Sequence, residues 1–376
     1  MTNHRKIVLD DAVPYAQEMF SHLGKIVTLP GRQISQADLI DADALIVRSR
    51  TQVNEALLAN TQVKFVGSTV VGLDHIDQAW LKLNDIFFYS AQGCNANSVA
   101  EFVITQLYQL AEQLGFELNS KTLGIIGVGN VGSRLAKKAE ILGIRTLLND
   151  PPRQANENLP EFVDLDTALT ADIITFHTPL TFDGQHPSYH LLNAERLKAI
   201  NPNTIIVNAA RGGIIDETAW IQTPTQANLI DCWEKEPNIN AQLYKTAIQA
   251  TPHIAGHSLD AKVAGSQMVY EALCDFWQTP NENEWQALLP KAPKIIEVDA
   301  HQSLQHQLKQ IFSSAHNPHA DDLAIRADNI EDVQSQFEYY RRHYPIYREW
   351  QHQTVKGASA NLHSQLMALG FIIDKP

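Results

Sequence analysis

Between residues 5 and 90 the chain alternates short apolar runs with polar or helix-patterned stretches. The runs are KIVLD (6–10), KIVTL (25–29), ALIVRS (44–49), VKFVGS (63–68) and IFFYS (86–90). Runs of this length, rich in Val, Ile and Phe, predict strands, and their spacing predicts βαβ units in a parallel sheet. NANSVAEFVITQLYQLAEQL (95–114) then takes up a helical pattern. Ser98 is expected to cap that helix, with Glu101 completing a capping box. A second strand series follows in TLGIIG (122–127), IRTLLND (144–150), ADIITFH (171–177), NTIIVNAA (203–210) and ANLIDCW (227–233). Strand after strand, each followed by a turn or helix, predicts a doubly wound α/β domain. Past Trp277 the pattern breaks. QTPNENEWQALLPKAPK (278–294) is polar and proline-bearing, as a linker is, and 295–376 predicts a small α+β domain. Within it, QFEYYRRHYPIYREW (336–350) packs aromatics among arginines.

Composition narrows the function classes. A chain of 376 residues is too long for one ordinary core, so two or three domains are expected. A net charge of −13 disfavours nucleic acid as the main partner, because phosphate backbones need a basic face. The start lacks an apolar signal-peptide core, and no run of about 18 apolar residues exists to span a membrane. Cys94, Cys232 and Cys274 are an odd, widely spaced set without CxxC, which reads as reduced thiols in a cytoplasmic protein.

GIIGVGNVGSRLAKKAEILG (124–143) contains Gly127-x-Gly129-x-x-Gly132 between an apolar strand and a helix with Val131, Leu135, Ala139 and Leu142 on one side. Gly127 permits the tight turn, Gly129 lets backbone approach a pyrophosphate, and Gly132 lets helix and strand pack closely. The helix N-terminus offers unpaired N–H groups to the anion. Asp150, at the end of the next strand, can accept from ribose hydroxyls, and its charge repels the extra phosphate of NADP, so NAD is the expected cofactor. The alternative is that Asp150 merely begins a turn before Pro151-Pro152.

Three fragments end the later strands: NAARGG (208–213), DCWEKEP (231–237) and TPHIAGHS (251–258). In an open α/β sheet the ligand crevice lies beyond the carboxyl ends of the strands. Arg211, Glu236 and His253 are therefore the candidates for chemistry. Each also has a plain reading: a helix-capping arginine, a solvated loop carboxylate, a core histidine. Together, beside a dinucleotide loop, they supply hydride transfer at an alcohol next to a carboxylate. Arginine pairs with the carboxylate, histidine takes the hydroxyl proton, and glutamate fixes the ring and favours the imidazolium. His253 and His257 could meet on a helix as metal ligands, but no HExxH or third ligand accompanies them, and no metal is expected.

GVGNVG, FHTPLT, VNAARGG, DCWEKEP and TPHIAG occur in the order found in the D-2-hydroxyacid dehydrogenase family, which the chain resembles over residues 1–285. The resemblance implies a flavodoxin-like substrate domain (1–95 with 257–285) and a Rossmann NAD-binding domain (96–256). It implies Arg211, Glu236 and His253 as catalytic residues. It implies Gly127, Gly129, Asn130, Val131, Gly132, Asp150, Thr178, Asp231 and Gly256 as cofactor residues. VRSRTQVN (47–54), FVGSTVVGLDHID (65–77), GCNA (93–96), LLNDPPR (147–153) and the aromatic–arginine tail resemble one branch in particular. That branch oxidises 4-phospho-D-erythronate at C2 to 2-oxo-3-hydroxy-4-phosphobutanoate in pyridoxal 5′-phosphate synthesis. By the same resemblance, the tail (290–376) is a dimerisation domain, making a homodimer, and Ser49 contacts substrate.

The chain departs from the branch at three places. Val70 replaces a substrate-contacting threonine, with Thr69 beside it aimed elsewhere by strand alternation. His257 replaces a tyrosine, and 216–231 is shorter than usual. Arg48 and Arg50, on one side of an extended VRSR, are candidates for a terminal phosphate, as are Arg341 and Arg342 reaching across a dimer. Asp74 and His75 are expected to cap and start a helix. Rival readings are a phosphoglycerate or glyoxylate/hydroxypyruvate type of dehydrogenase, or an NAD(H)-sensing binding protein.

Overall fold

The computed structural model describes residues 5–157, 161–281, 285–290 and 295–374, so the linker expected over 278–294 lies partly outside the described residues. The chain divides into two compact units, one of residues 1–95 and 259–291, the other of 96–258 and 292–376.

The first unit is built on β1 (Lys6–Asp10), β2 (Lys25–Leu29), β3 (Ala44–Val47), β4 (Phe65–Ser68) and β5 (Phe87–Ser90). All pair in parallel, in the order β2-β1-β3-β4-β5. This is the flavodoxin-like order. The central strands β3 and β4 are buried throughout, whereas the edges β2 and β5 are partly exposed. Covered on both faces, central strands take continuous apolar sequence. The long Leu259–Trp277 helix returns to this unit and buries Val269, Tyr270 and Leu273 against Ile7, Leu9 and Phe65.

Two expectations here need correction. β3 ends at Val47, so Arg48, Ser49 and Arg50 follow in a turn where strand alternation does not operate. The helix Gln78–Leu83 is capped by Asp77, whose carboxylate accepts from the Trp80 N–H at 2.9 Å, and not by Asp74 or His75.

The second unit carries β6 (Thr122–Ile126), β7 (Arg145–Asn149), β8 (Ile173–Phe176), β9 (Ile205–Asn208), β10 (Ala227–Ile230) and β11 (Gln249–Ala250). They form a parallel sheet in the order β11-β10-β9-β8-β6-β7. The order reverses between β6 and β8, and a crevice opens at such a switch point beyond the strand ends. β6 and β8 are buried along their whole length, as strands covered on both sides must be.

The helix Ala96–Leu114 packs on this sheet, but Ser98 and Glu101 do not form its capping box. Both are buried inside the helix. Ser98 Oγ donates to the Ala255 carbonyl at 2.8 Å, and Glu101 Oε2 accepts from the Trp350 N–H at 3.0 Å. Long-range partners outcompeted the local cap. The C-terminal segment supplies those partners. It forms β12 (Ile296–Glu297), β13 (Thr354–Lys356) and β14 (Ile372–Ile373) with four helices, the α+β pattern its sequence predicts. Phe312 and Trp350 stack with centroids 4.4 Å apart and share a core with Phe102, Leu107 and Tyr108 of the long helix. Much of the aromatic–arginine motif is thus spent inside its own chain: Tyr344 and Trp350 are buried, while Tyr339 and Ile346 stay 61% and 70% exposed.

Candidate active site

The glycine loop joins β6 to the helix Asn130–Ile141. Gly127 sits at φ +89°, and a Cβ there would lie 2.7 Å from the Thr178 nitrogen. A Cβ on Gly132 would lie 2.1 Å from the Gly127 carbonyl oxygen, so the turn closes only with hydrogen at both positions. Around Gly129, in contrast, a Cβ would meet nothing within 4 Å. Gly129 and Asn130 are exposed, and Val131 is partly buried. The Thr178 hydroxyl, just past the end of β8 across the switch point, is buried without a hydrogen-bond partner. Open space at Gly129 and an orphaned hydroxyl beside Gly127 fit a dinucleotide pyrophosphate at the helix N-terminus. Asp150 has a double role. Its carboxylate accepts from the Val128 N–H at 2.8 Å, bracing the glycine loop, and from the Arg153 N–H at 3.0 Å, starting the helix Pro151–Glu157.

The chemistry-bearing loops follow β9, β10 and β11. Gly212 lets the Arg211 loop press against the next one, because a Cβ there would lie 2.0 Å from the Trp233 carbonyl oxygen. Asn208, at the end of β9, ties the two together by donating to the carbonyls of Arg211 (3.0 Å) and Cys232 (3.1 Å). Arg211 donates one guanidinium N–H to the Ala210 carbonyl at 2.7 Å, which fixes its direction.

Glu236 is no solvated loop carboxylate. His253 Nδ1 donates to its Oε2 at 2.9 Å, with Oε1 at 3.1 Å, and the Trp233 N–H donates to Oε1 at 2.9 Å. Burial opposes ionisation of Glu236, but the His253 charge, these hydrogen bonds and the Arg341 guanidinium hold its carboxyl below the usual range. With Nδ1 turned to the carboxylate, His253 leaves Nε2 as the ring nitrogen not engaged by Glu236. Its backbone lies in the left-handed region at φ 55°, a conformation that costs a residue with a side chain about 1–3 kcal/mol.

Asp231 maintains that strain. It is buried, and Oδ1 accepts from Thr251 Oγ1 (2.7 Å) and the Ile254 N–H (2.8 Å), while Oδ2 accepts from the Ala255 N–H (3.1 Å). Its backbone carbonyl accepts from the His253 N–H at 2.8 Å. Gly256 is half-buried in the turn that follows. His257 meets Tyr344 of the C-terminal segment edge-to-face, with centroids 5.8 Å apart, and belongs to the second unit.

Ser49 and Val70 lie in the first unit, just beyond the ends of β3 and β4. Ser49 is exposed, and the Val70 carbonyl accepts from Ser90 Oγ at 3.2 Å. Thr69 does not stand in for the missing threonine, because it is buried and donates to the Val47 carbonyl at 3.3 Å.

Residues 96–255 match the family model described as D-isomer specific 2-hydroxyacid dehydrogenase, NAD binding domain. An erythronate-4-phosphate dehydrogenase from Hydrogenovibrio crunogenus is 57% identical over 99% of this chain and 99% of its own length. The chain belongs to the erythronate-4-phosphate dehydrogenase family. A member from Proteus mirabilis is 43% identical over 97% of this chain and 98% of its own length. Residues 288–370 match a model described as Domain of unknown function (DUF3410). Among solved structures, NAD+-bound 3-phosphoglycerate dehydrogenase from Entamoeba histolytica aligns with a TM-score of 0.63 at 25% identity, over 73% of this chain and 96% of that one.

Two further residues lie close to the dyad. Cys232 places its sulfur within 4.8 Å of ligand atoms of Glu236 and His253. Burial pushes its thiol well up, so it stays protonated. Arg341 comes from the distant C-terminal segment, and only the fold brings it near Glu236.

Proposed function

We propose that this chain oxidises 4-phospho-D-erythronate at C2, giving 2-oxo-3-hydroxy-4-phosphobutanoate, with NAD as hydride acceptor, within pyridoxal 5′-phosphate synthesis. The observation that carries the reading is the His253–Glu236 hydrogen bond, set in the same unit as a dinucleotide loop. The relatives named erythronate-4-phosphate dehydrogenase, at 57% and 43% identity, support this substrate over a phosphoglycerate or glyoxylate type. When bound, NAD+ receives the C2 hydride. Gly127, Gly129, Asn130, Val131 and Gly132 would hold its pyrophosphate and Asp150 its adenosine ribose, and Thr178 and Gly256 would line the crevice. Asp231 contributes through the 251–255 loop that it ties down.

Arg211 pairs with the C1 carboxylate and polarises the C2 oxygen. His253 Nε2 takes the hydroxyl proton as the C–H bond pair leaves, and the C–O bond becomes a carbonyl. Glu236, ionised through neutral pH, stabilises the imidazolium that forms and holds the ring in register. Ser49, Val70 and His257 are the proposed substrate-contacting residues. The three-part arrangement of substrate domain (1–95, 257–285), NAD domain (96–256) and C-terminal domain (290–376) serves this division of labour. Tyr339, Ile346 and Leu323, exposed on the C-terminal segment, support a homodimer. Cys94, Cys232 and Cys274, none of them in a disulfide, support a cytoplasmic setting. Among the described residues no helix is long and apolar enough to cross a membrane.

The test is a panel of 2-hydroxy acids with and without a terminal phosphate, followed by NADH absorbance. 4-Phosphoerythronate is expected to give the highest kcat/KM. Equal turnover of unphosphorylated D-erythronate sinks the assignment.

A further inference from the structure

The helix Ile330–Arg342 lies along the loop that carries Glu236. Its buried residues Val333 and Phe337 share a core with Trp233, Ile239 and Tyr244. Gln334 Nε2 donates to the Ile239 carbonyl at 3.4 Å, and just before the helix the Ala327 N–H donates to the Tyr244 hydroxyl at 3.2 Å. Val333, Phe337 and Arg341 follow one another at intervals of four, so the stripe that packs on the loop ends in Arg341. Its guanidinium lies 6.0 Å from the Phe337 ring centroid. Its Nε is buried with no hydrogen-bond partner. Both Glu236 and Cys232 feel its charge.

The plain alternative is a cation placed at a helix C-terminus to complement the dipole. Arg342 answers that description, because it is exposed in the same last turn. Arg341 does not, because a buried donor facing away from water is costly unless something accepts from it. Glu236 is already shared between His253 and the Trp233 N–H. Arg211 has the carboxylate end of the substrate in the role given above. Of the other candidates, Arg48 sits beside Asp10 in the first unit, where its charge favours that carboxylate.

The geometry points to Arg341, supplied by the same chain, as the residue that receives the terminal phosphate of the substrate and selects for it. A planar fork of donors suits phosphate oxygens better than a point charge does. This inference rests on the reading of the substrate as a phosphorylated hydroxy acid. It also gives the C-terminal segment a part in specificity that needs no second subunit.

The experiment compares kcat/KM for 4-phosphoerythronate and for D-erythronate in the full-length enzyme and in Arg341→Ala and Arg341→Lys. The ratio of the two is expected to fall about a hundredfold in the alanine variant, mostly through KM, and by less in the lysine variant. Inorganic phosphate is expected to compete with substrate in the unsubstituted enzyme and to lose that competition in Arg341→Ala. NADH fluorescence titration and thermal melting report folding, and the lysine variant carries the test if the alanine variant is unstable. A ratio that is high in the unsubstituted enzyme and unchanged in both variants overturns the inference alone. Equal loss on both substrates also overturns it, since Arg341 then acts only through Glu236. A ratio near one in the unsubstituted enzyme overturns the substrate reading, and the inference with it.

Discussion

The two ends of the second unit's site are held by different physics. At the cofactor end, shape comes mainly from missing atoms: Gly127 and Gly132 bring backbone against backbone, and the Asp150 carboxylate braces the loop through the Val128 N–H. At the chemical end, shape comes from added atoms. His253 keeps a left-handed backbone because Asp231, twenty-two residues earlier, bonds both sides of the turn around it. Behind that loop, Ser98 holds the Ala255 carbonyl and also meets the Tyr347 hydroxyl at 2.9 Å. The cofactor end is therefore vulnerable to a methyl group added at Gly127 or Gly132. The chemical end depends in addition on polar partners brought from far along the chain.

Substitutions can break that contrast. His253→Gln is expected to lower kcat about 10²–10⁴-fold while NADH still binds, as fluorescence titration reads out. Loss of NADH binding in that variant would show the two ends are not separable. Gly132→Val drives a side chain into the Gly127 carbonyl and is expected to cost about 3 kcal/mol in chemical denaturation and to abolish NADH binding. Full cofactor affinity there contradicts the account of the loop. Glu236→Gln is expected to lower kcat about a hundredfold. It removes the charge that favours the imidazolium, so the acid limb of the oxidation rate shifts to lower pH; a shift upward refutes the role given to Glu236. Asp231→Asn sets an amide N–H against backbone N–H donors and is expected to cost about 2 kcal/mol, with kcat reduced and NADH affinity less affected.

The smallest effect concerns the buried support behind the loop. Burial, with Glu349 nearby, pushes the Glu101 carboxyl up to about 8, against the pull of Lys138, the Trp350 N–H and Asn97. The folded state then holds a proton that the unfolded chain releases near the ordinary value of 4.5. The stability from this group is full below that value and is lost as pH rises toward 8. Glu101→Gln is therefore expected to gain on the unsubstituted protein between pH 5 and pH 9, by about 1–3 kcal/mol in denaturant titrations. A difference that stays constant with pH contradicts a carboxyl proton held by burial.

The parts of the site readable in advance are those whose chemistry is contiguous. The glycine loop, Arg211, Glu236 and His253 each sit in a short motif at a strand end, and parallel α/β topology collects strand ends by itself. Ser98 and Glu101 were misjudged as a local cap because their spacing permits one. Their real partners, Ala255 and Trp350, lie far along the chain, where no periodicity points. The turn at Arg48–Arg50 was misjudged for a similar reason: an apolar run shows where a strand is, and its last residue is set by pairing with neighbours. Arg341 was visible as a candidate, but its approach to Glu236 depends on how Val333 and Phe337 pack.

Order along the chain thus dictates the two α/β units, the dinucleotide loop and which side chains are the candidates for chemistry. Steric limits at glycine and the pattern of apolar runs act over a few residues and are written locally. Packing alone decides that His253 is held in a strained backbone by Asp231, that Ser98 and Glu101 face inward, and that the C-terminal segment closes on the loop of Glu236. Those outcomes come from burying polar groups that must then find partners, and the partners are chosen in space, not in sequence.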